Sequence, residues 1–246
     1  MDDTQVARYV LSKWEESIRT YVDDSVRIVT QPQPPRKLGD VSTWNLRLSS
    51  AGGCARASGL RALQFEGSPV SMGQMQTFHH GHILEADTKE MLGLVDFPIF
   101  FEQCRVQVEY GIEGHIDGMC CLGVYSSTGD IKAYGKTTMS QIRKGIDIIQ
   151  PEMFLWEHKS LGNYPWKKTI GQSGFKKDSP MENVAEECAG GYILKSGTVK
   201  EVHFKDYTQI QVYLMAGRFR EDFPRDRAIY FGRAKGEPGV CVEVVH

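Results

Sequence analysis

The chain has 246 residues, of which 41% are hydrophobic and 24% charged, enough for one well-buried domain or two small ones and unlike a disordered or fibrous protein. Its formal net charge is −2, from 29 Lys and Arg against 31 Asp and Glu, less basic than a purely electrostatic nucleic-acid binder usually is, so charge neither supports nor excludes a DNA substrate for a catalyst with local charges. No apolar run approaches the roughly 20 residues of a spanning helix, and the acidic start MDDTQVARYV lacks a signal-peptide core, so no membrane contact and a cytoplasmic location are expected.

Residues 5–22 predict an amphipathic helix, with Val6, Val10, Trp14, Ile18 and Tyr21 at helical spacing and Lys13, Glu15, Glu16 and Arg19 between them. Gln31 to Lys37, QPQPPRK, reads as a loop, because closely spaced prolines end both helices and sheet ladders. Residues 1–50 thus form an N-terminal helix and Pro-rich loop ahead of a core over 51–246. Helices are expected over Ala55 to Gln64, after Gly52 and Gly53, and over about Gln74 to Leu92, which carries HHGHILEADTKEML. Cys104 to Tyr110 then alternates with the period of a half-buried strand. GHIDGMCCLGVY is a second strand, joined to it in a hairpin through Gly111 and Gly114.

SSTGD at 126–130 is a turn, Met153 to Lys159 a strand, and residues 162–197 show no clear period. Residues 206–219 return to a helix, with Ile210, Tyr213, Leu214 and Gly217 on one face. Two tail strands, Ala228 to Phe231 and Val240 to Val245, are joined by AKGEPG. The order is that of a single α/β domain with a mixed central sheet flanked by helices. Of the six cysteines, Cys54, Cys104, Cys120, Cys121, Cys188 and Cys241, none makes a C-x-x-C pair, so reduced structural thiols are expected.

The segment WEHKS carries the clearest chemistry. On a strand, Glu157 and Lys159 project to one face, and the four apolar residues before them, Met153 to Trp156, point to a buried strand. Burying a carboxylate and an ammonium is costly unless they pair or bind a metal. Two other acid-x-lysine triplets lack that context: Asp87-Thr88-Lys89 falls on a helix, and Asp130-Ile131-Lys132 begins in a turn. Asp117 in GHIDGM is a second carboxylate, with Gly118 leaving room for a ligand. A surface ion pair at a strand end, and a turn aspartate, are the structural alternatives for these residues.

GHIDG followed by WEHK resembles the PD-(D/E)XK nuclease superfamily, in particular its RecB-like and lambda-exonuclease-like branch. Gly81-x-x-x-Glu85 upstream and Gln209-x-x-x-Tyr213 downstream match helical motifs of that branch, and GGCARASGLRAL resembles the segment that opens its catalytic region. Glutamate at position 85 is what the viral exonucleases carry. The resemblance spans Cys54 to Tyr213 and implies a restriction-endonuclease-like core.

It further implies a Mg²⁺- or Mn²⁺-dependent deoxyribonuclease, an exonuclease in recombination, repair or replication. Glu85, Asp117, Glu157 and the His158 backbone carbonyl would be the metal ligands, and Asp117, Glu157, Lys159, Gln209 and Tyr213 the catalytic set, with Gln209 and Tyr213 positioning Lys159 or the DNA. Arg56, Lys205 and Tyr207 are candidates for phosphate contact. DNA is the implied partner, with a homo-oligomer or recombination-protein partner left open, and the location is the host cytoplasm if the source is viral.

Two departures stand out. Asp117 and Glu157 are far apart in sequence, which predicts an insertion at about 125–150, narrowed to Gly135–Gln150. Only Cys241 follows the Gln209 helix, so no iron–sulfur cluster is expected and Cys54 reads as a packed thiol. Two rival readings remain. One is a zinc hydrolase using His79, His80, His82 and Glu85, although His82-x-x-Glu85 lacks the following histidine of H-x-x-E-H. The other is a non-catalytic nucleic-acid-binding protein with a nuclease-like fold.

Overall fold

The computed structural model describes residues 1–24, 46–47, 52–54, 56, 71–108, 112–125, 130–134, 148–172, 181–217 and 223–246. The predicted 31–37 loop, most of the 55–64 helix, and residues 126–129 of the predicted turn lie outside them.

Helix α1 (Asp3–Asp24) buries Val6, Val10, Leu11, Trp14 and Ser17 along one stripe, as its spacing predicts. Ile18, expected on that stripe, is 40% exposed and lines a cavity together with Trp14. Helix α2 (Met72–Gly93) begins with a capping box in which Ser71 and Gln74 satisfy each other's backbone N–H groups. Only its C-terminal half reaches the core, through Thr88, Met91 and Leu92.

Strands β1 (Leu46–Arg47), β2 (Arg105–Val108) and β3 (Ile112–His115) form a small sheet in the order β1-β3-β2. The main elements follow: β4 (Gly118–Tyr125), β5 (Ile131–Tyr134), β6 (Ile148–Leu161), α3 (Asn163–Thr169), β7 (Val184–Cys188), β8 (Gly191–Leu194), α4 (Thr198–Val202), α5 (Phe204–Gly217), β9 (Ala228–Ala234) and β10 (Val240–Val245). Their seven strands make a curled mixed sheet in the order β5-β4-β6-β9-β10-β8-β7. β6 is parallel to β9 and β8 to β10, and the other neighbours are antiparallel.

Two apolar layers cover this sheet. One face packs Phe154, Trp156, Ile229 and Phe231 against α1 and the end of α2. The other packs Leu155, Leu161, Ala228 and Tyr230 against Ile210, Tyr213 and Leu214 of α5 and Trp166 of α3. The architecture is therefore mixed α/β, with a curled mixed seven-stranded sheet flanked by helices.

Two expectations need correction. GHIDGMCCLGVY is not one strand. It breaks at Ile116 and Asp117, where the chain leaves the small sheet for the large one, and Gly114 sits in β3 rather than in the connection. The Ile116 N–H donates to Cys104 O at 3.1 Å at that crossing. Gly118 does not leave room for a ligand, because a Cβ there would lie 2.4 Å from Ile99 Cγ2. Part of the segment read as an insertion belongs to the main sheet: β5 pairs with β4 over Cys121–Val124, and β6 already begins at Ile148.

Candidate functional site

Strands β4 and β6 run antiparallel with Gly118 opposite Trp156, so Asp117, the residue before β4, stands opposite Glu157. The Asp117 carboxylate accepts a hydrogen bond from the His158 N–H at 2.9 Å. Glu157 and Lys159 project together from β6, as i and i+2 must, and the Lys159 ammonium pairs with Glu157 Oε1. Glu157 is fully buried, and its Oε2 has no hydrogen-bond partner among the described residues. A buried carboxylate oxygen without a donor is costly unless a cation or hydrogen-bond donor approaches it.

The electrostatics follow from this crowding. Burial pushes the Glu157 carboxyl up to about 8, and the negative charge of Asp117 adds to that, against the pull of Lys159. Asp117 is raised for the same first reason, with Lys159, the His158 N–H and Lys89 opposing. Burial works against the Lys159 charge, but Glu157, then Asp117 and Asp206, outweigh it and keep the ammonium protonated.

Helix α5 closes this side. The Tyr213 hydroxyl donates to His115 O at 2.8 Å, and Gln209 Nε2 donates to the Tyr213 oxygen at 3.4 Å. Burial first, and the nearby Glu157 charge second, raise the Tyr213 phenol. The pair thus holds the chain two residues before Asp117. The one-turn spacing of Gln209 and Tyr213 makes this geometry available.

Helix α2 crosses the other end of the site. A Cβ at Gly81 would lie 3.1 Å from Ser160 Oγ, so the glycine of GHILE allows a close helix–strand approach. Glu85 is half-buried, and its Oε1 is held by Lys89 Nζ at 2.7 Å and Gln103 Nε2 at 3.2 Å. Lys89 Nζ also donates to Asp117 O at 2.8 Å. The His158 ring lies on the opposite face of β6, so the main chain of His158, not its imidazole, meets Asp117.

The remaining predicted residues lie apart. Arg56 and Lys205 are exposed, the latter in the first turn of α5, and Tyr207 is partly buried with Lys200 Nζ 5.8 Å from its ring centre. Cys54 is exposed, not packed. His79, His80 and His82 are exposed on α2. Among the described residues, no group of three or more His, Cys, Asp and Glu side chains is arranged to share a metal ion.

Four participants escaped the sequence reading. Lys89 and Gln103 hold Glu85, and Asp206 adds a further charge near Lys159. Tyr230 stands in register with Glu157 on β9, buried beneath the His203 ring at 6.1 Å. A signal existed only for Lys89, which is four residues from Glu85 on a helix. A cavity of about 700 Å³ lies elsewhere, lined by Trp14, Leu84, Tyr192 and Arg233, and none of the predicted site residues borders it.

No protein-family model, curated protein or solved structure matches this chain. No helix among the described residues is long and apolar enough to cross a membrane.

The residues present suit a hard divalent cation in one respect that matters. Asp117 and Glu157 offer two carboxylates from adjacent strands, one with a buried oxygen lacking a donor. Magnesium commonly takes one or two carboxylates and completes its shell with water and substrate phosphate.

Proposed function

We propose that this chain is a Mg²⁺- or Mn²⁺-dependent deoxyribonuclease with a restriction-endonuclease-like core, acting as an exonuclease in DNA recombination, repair or replication. The observation that carries the reading is the convergence of Asp117, Glu157 and Lys159, with Glu157 Oε2 buried and without a partner. An unpaired buried acceptor costs about 1–3 kcal/mol, a cost that an approaching cation would offset.

Asp117 and Glu157 would hold the ion, with the His158 carbonyl beside them. When bound, the ion supplies a water of lowered pKa and neutralises charge on the leaving oxygen. Lys159 contributes a fixed positive charge to the phosphate as negative charge grows on it, the electrostatic role that often dominates catalysis. The His158 N–H fixes the Asp117 carboxylate, and Tyr213 fixes the backbone entering it, so both act by positioning.

A gel assay tests the reading on linear duplex, closed circle and end-labelled single strands, each with Mg²⁺, Mn²⁺ or chelator. Metal-dependent loss of linear DNA with the circle spared is expected, and the labelled ends give the polarity. Calorimetry on Asp117→Ala should show weakened Mn²⁺ binding. Binding without cleavage of any substrate would instead favour the non-catalytic alternative.

A further inference from the structure

Glu85 occupies the position at which the resemblance calls for a carboxylate that reaches the metal, yet its Oε1 is already engaged. Lys89, one turn further along α2, sets Nζ 2.7 Å from it. The same Nζ donates to the Asp117 carbonyl oxygen at 2.8 Å and lies 3.4 Å from Glu102 Oε2. Oxygens from three segments thus converge on one ammonium, and Gln103 adds a second donor to Glu85. An ordinary i, i+4 pair on a helix surface would be exposed and would reach no third segment. Here the two side chains are only 10% and 17% exposed.

Several oxygens gathered around one positive centre is how proteins hold a hard cation. An ammonium with its three donors satisfies the same arrangement. We infer that Lys89 is a built-in cation standing in the place of a second divalent ion, so that the site takes one exchangeable ion, between Asp117 and Glu157. Glu85 is then a positioning residue, acting on the Asp117 backbone through Lys89. The identity of the exchangeable ion rests on the nuclease reading; the placement of Lys89 does not.

Charge and desolvation support this division of labour. A half-buried ammonium is costly unless oxygens surround it, so expelling Lys89 from its three acceptors to admit a divalent ion is opposed. Asp117 is also held from both ends, its carbonyl by Lys89 and its carboxylate by the His158 N–H. Lys89 and Lys159 therefore both lie close enough to act on this aspartate's charge, while Glu157 Oε2 has no hydrogen-bond partner among the described residues.

Mn²⁺ titration of the full chain, read by calorimetry and by the paramagnetic signal of the free ion, tests the count. The wild type should bind one ion per chain, and Lys89→Arg should also bind one. Lys89→Gln should gain a second ion, at least tenfold weaker than the first. Two ions in the wild type, or one ion of unchanged affinity in a folded Lys89→Gln, would overturn the inference and leave the nuclease reading standing. If Lys89→Gln does not fold, the wild-type and Lys89→Arg counts decide alone. No ion bound by the wild type, with Asp117→Asn identical to it, would overturn the nuclease reading and this inference with it.

Discussion

Alternate residues of β6 build two faces of opposite character. On one, Phe154, Trp156 and His158 join an aromatic layer in which the Trp156 and Phe231 rings stack at 5.2 Å and Trp14 meets Phe231 edge-on at 5.6 Å. The His158 imidazole is kept neutral, lowered to about 3 by burial and then by Arg233, and its Nε2 meets the Thr88 hydroxyl at 3.2 Å. On the other face, Leu155 and Leu161 bracket Glu157 and Lys159 within an otherwise apolar layer.

Among the described residues β6 itself carries one buried polar atom without a partner on each face: the Trp156 indole nitrogen on the first and Glu157 Oε2 on the second, where the Tyr230 hydroxyl of β9 is also unpartnered. The first is a neutral donor, a modest cost that a large aromatic contact offsets. The second belongs to an ionisable group, and that difference sets a face that anchors the fold apart from the face on which the proposed function rests.

The largest test of this contrast removes the charge on the second face. Lys159→Ala should lower cleavage at least 10³-fold, roughly 4 kcal/mol of transition-state stabilisation, while DNA binding in chelator stays within about threefold. A collapsed thermal transition would instead make Lys159 part of the anchor. On the first face, Trp156→Ala should cost about 3–5 kcal/mol in denaturant unfolding, the usual loss for a fully buried aromatic. A loss under about 1 kcal/mol would show that the aromatic layer does not anchor the sheet.

The legible parts were those with a long period or a fixed local offset. Helices α1 and α5 were found within a few residues because their stripes run for three turns or more, and α2 was found within a few residues although it buries only Thr88, Met91 and Leu92. Glu157 and Lys159 were readable because strand geometry alone puts i and i+2 together. The hairpin β7–β8 was not, nor was β5, because short strands at sheet edges carry too few residues to show a period. The break at Ile116 and Asp117 was not read because apolar residues lie on both sides of Asp117, so the segment looks like one strand carrying a single charge. Lys89 was dismissed with its Asp87-Thr88-Lys89 triplet, although its real partner is Glu85, one turn back. Gln103, Asp206 and Tyr230 enter only through tertiary contact, which no spacing encodes.

A pH experiment separates the faces further. The folded Glu157 holds its proton to about 8, whereas the unfolded chain loses it near the ordinary value of 4.5. The folded state therefore binds the extra proton across that window, and stability falls as pH rises through it. In chelator, Glu157→Gln should gain on the wild type by on the order of 1–3 kcal/mol between pH 5 and about 8 and then level off. A difference that stays flat over the window would mean that Glu157 titrates normally, and the burial argument for the second face would fail.

The smallest expected effect is the most local. Tyr213→Phe keeps the ring in the α5 layer and removes only the hydroxyl that donates to His115 O. Stability should fall by about 1 kcal/mol, the net value of one such hydrogen bond. Cleavage should fall further than stability suggests, about tenfold, because His115 leads directly into Asp117 and outer residues that orient a ligand commonly matter at that level. Equal small losses in both would make Tyr213 a packing residue of the helix layer. A tenfold loss of cleavage, with Mn²⁺ affinity reduced in step, would tie it to the placement of Asp117 and extend the site from the sheet into α5.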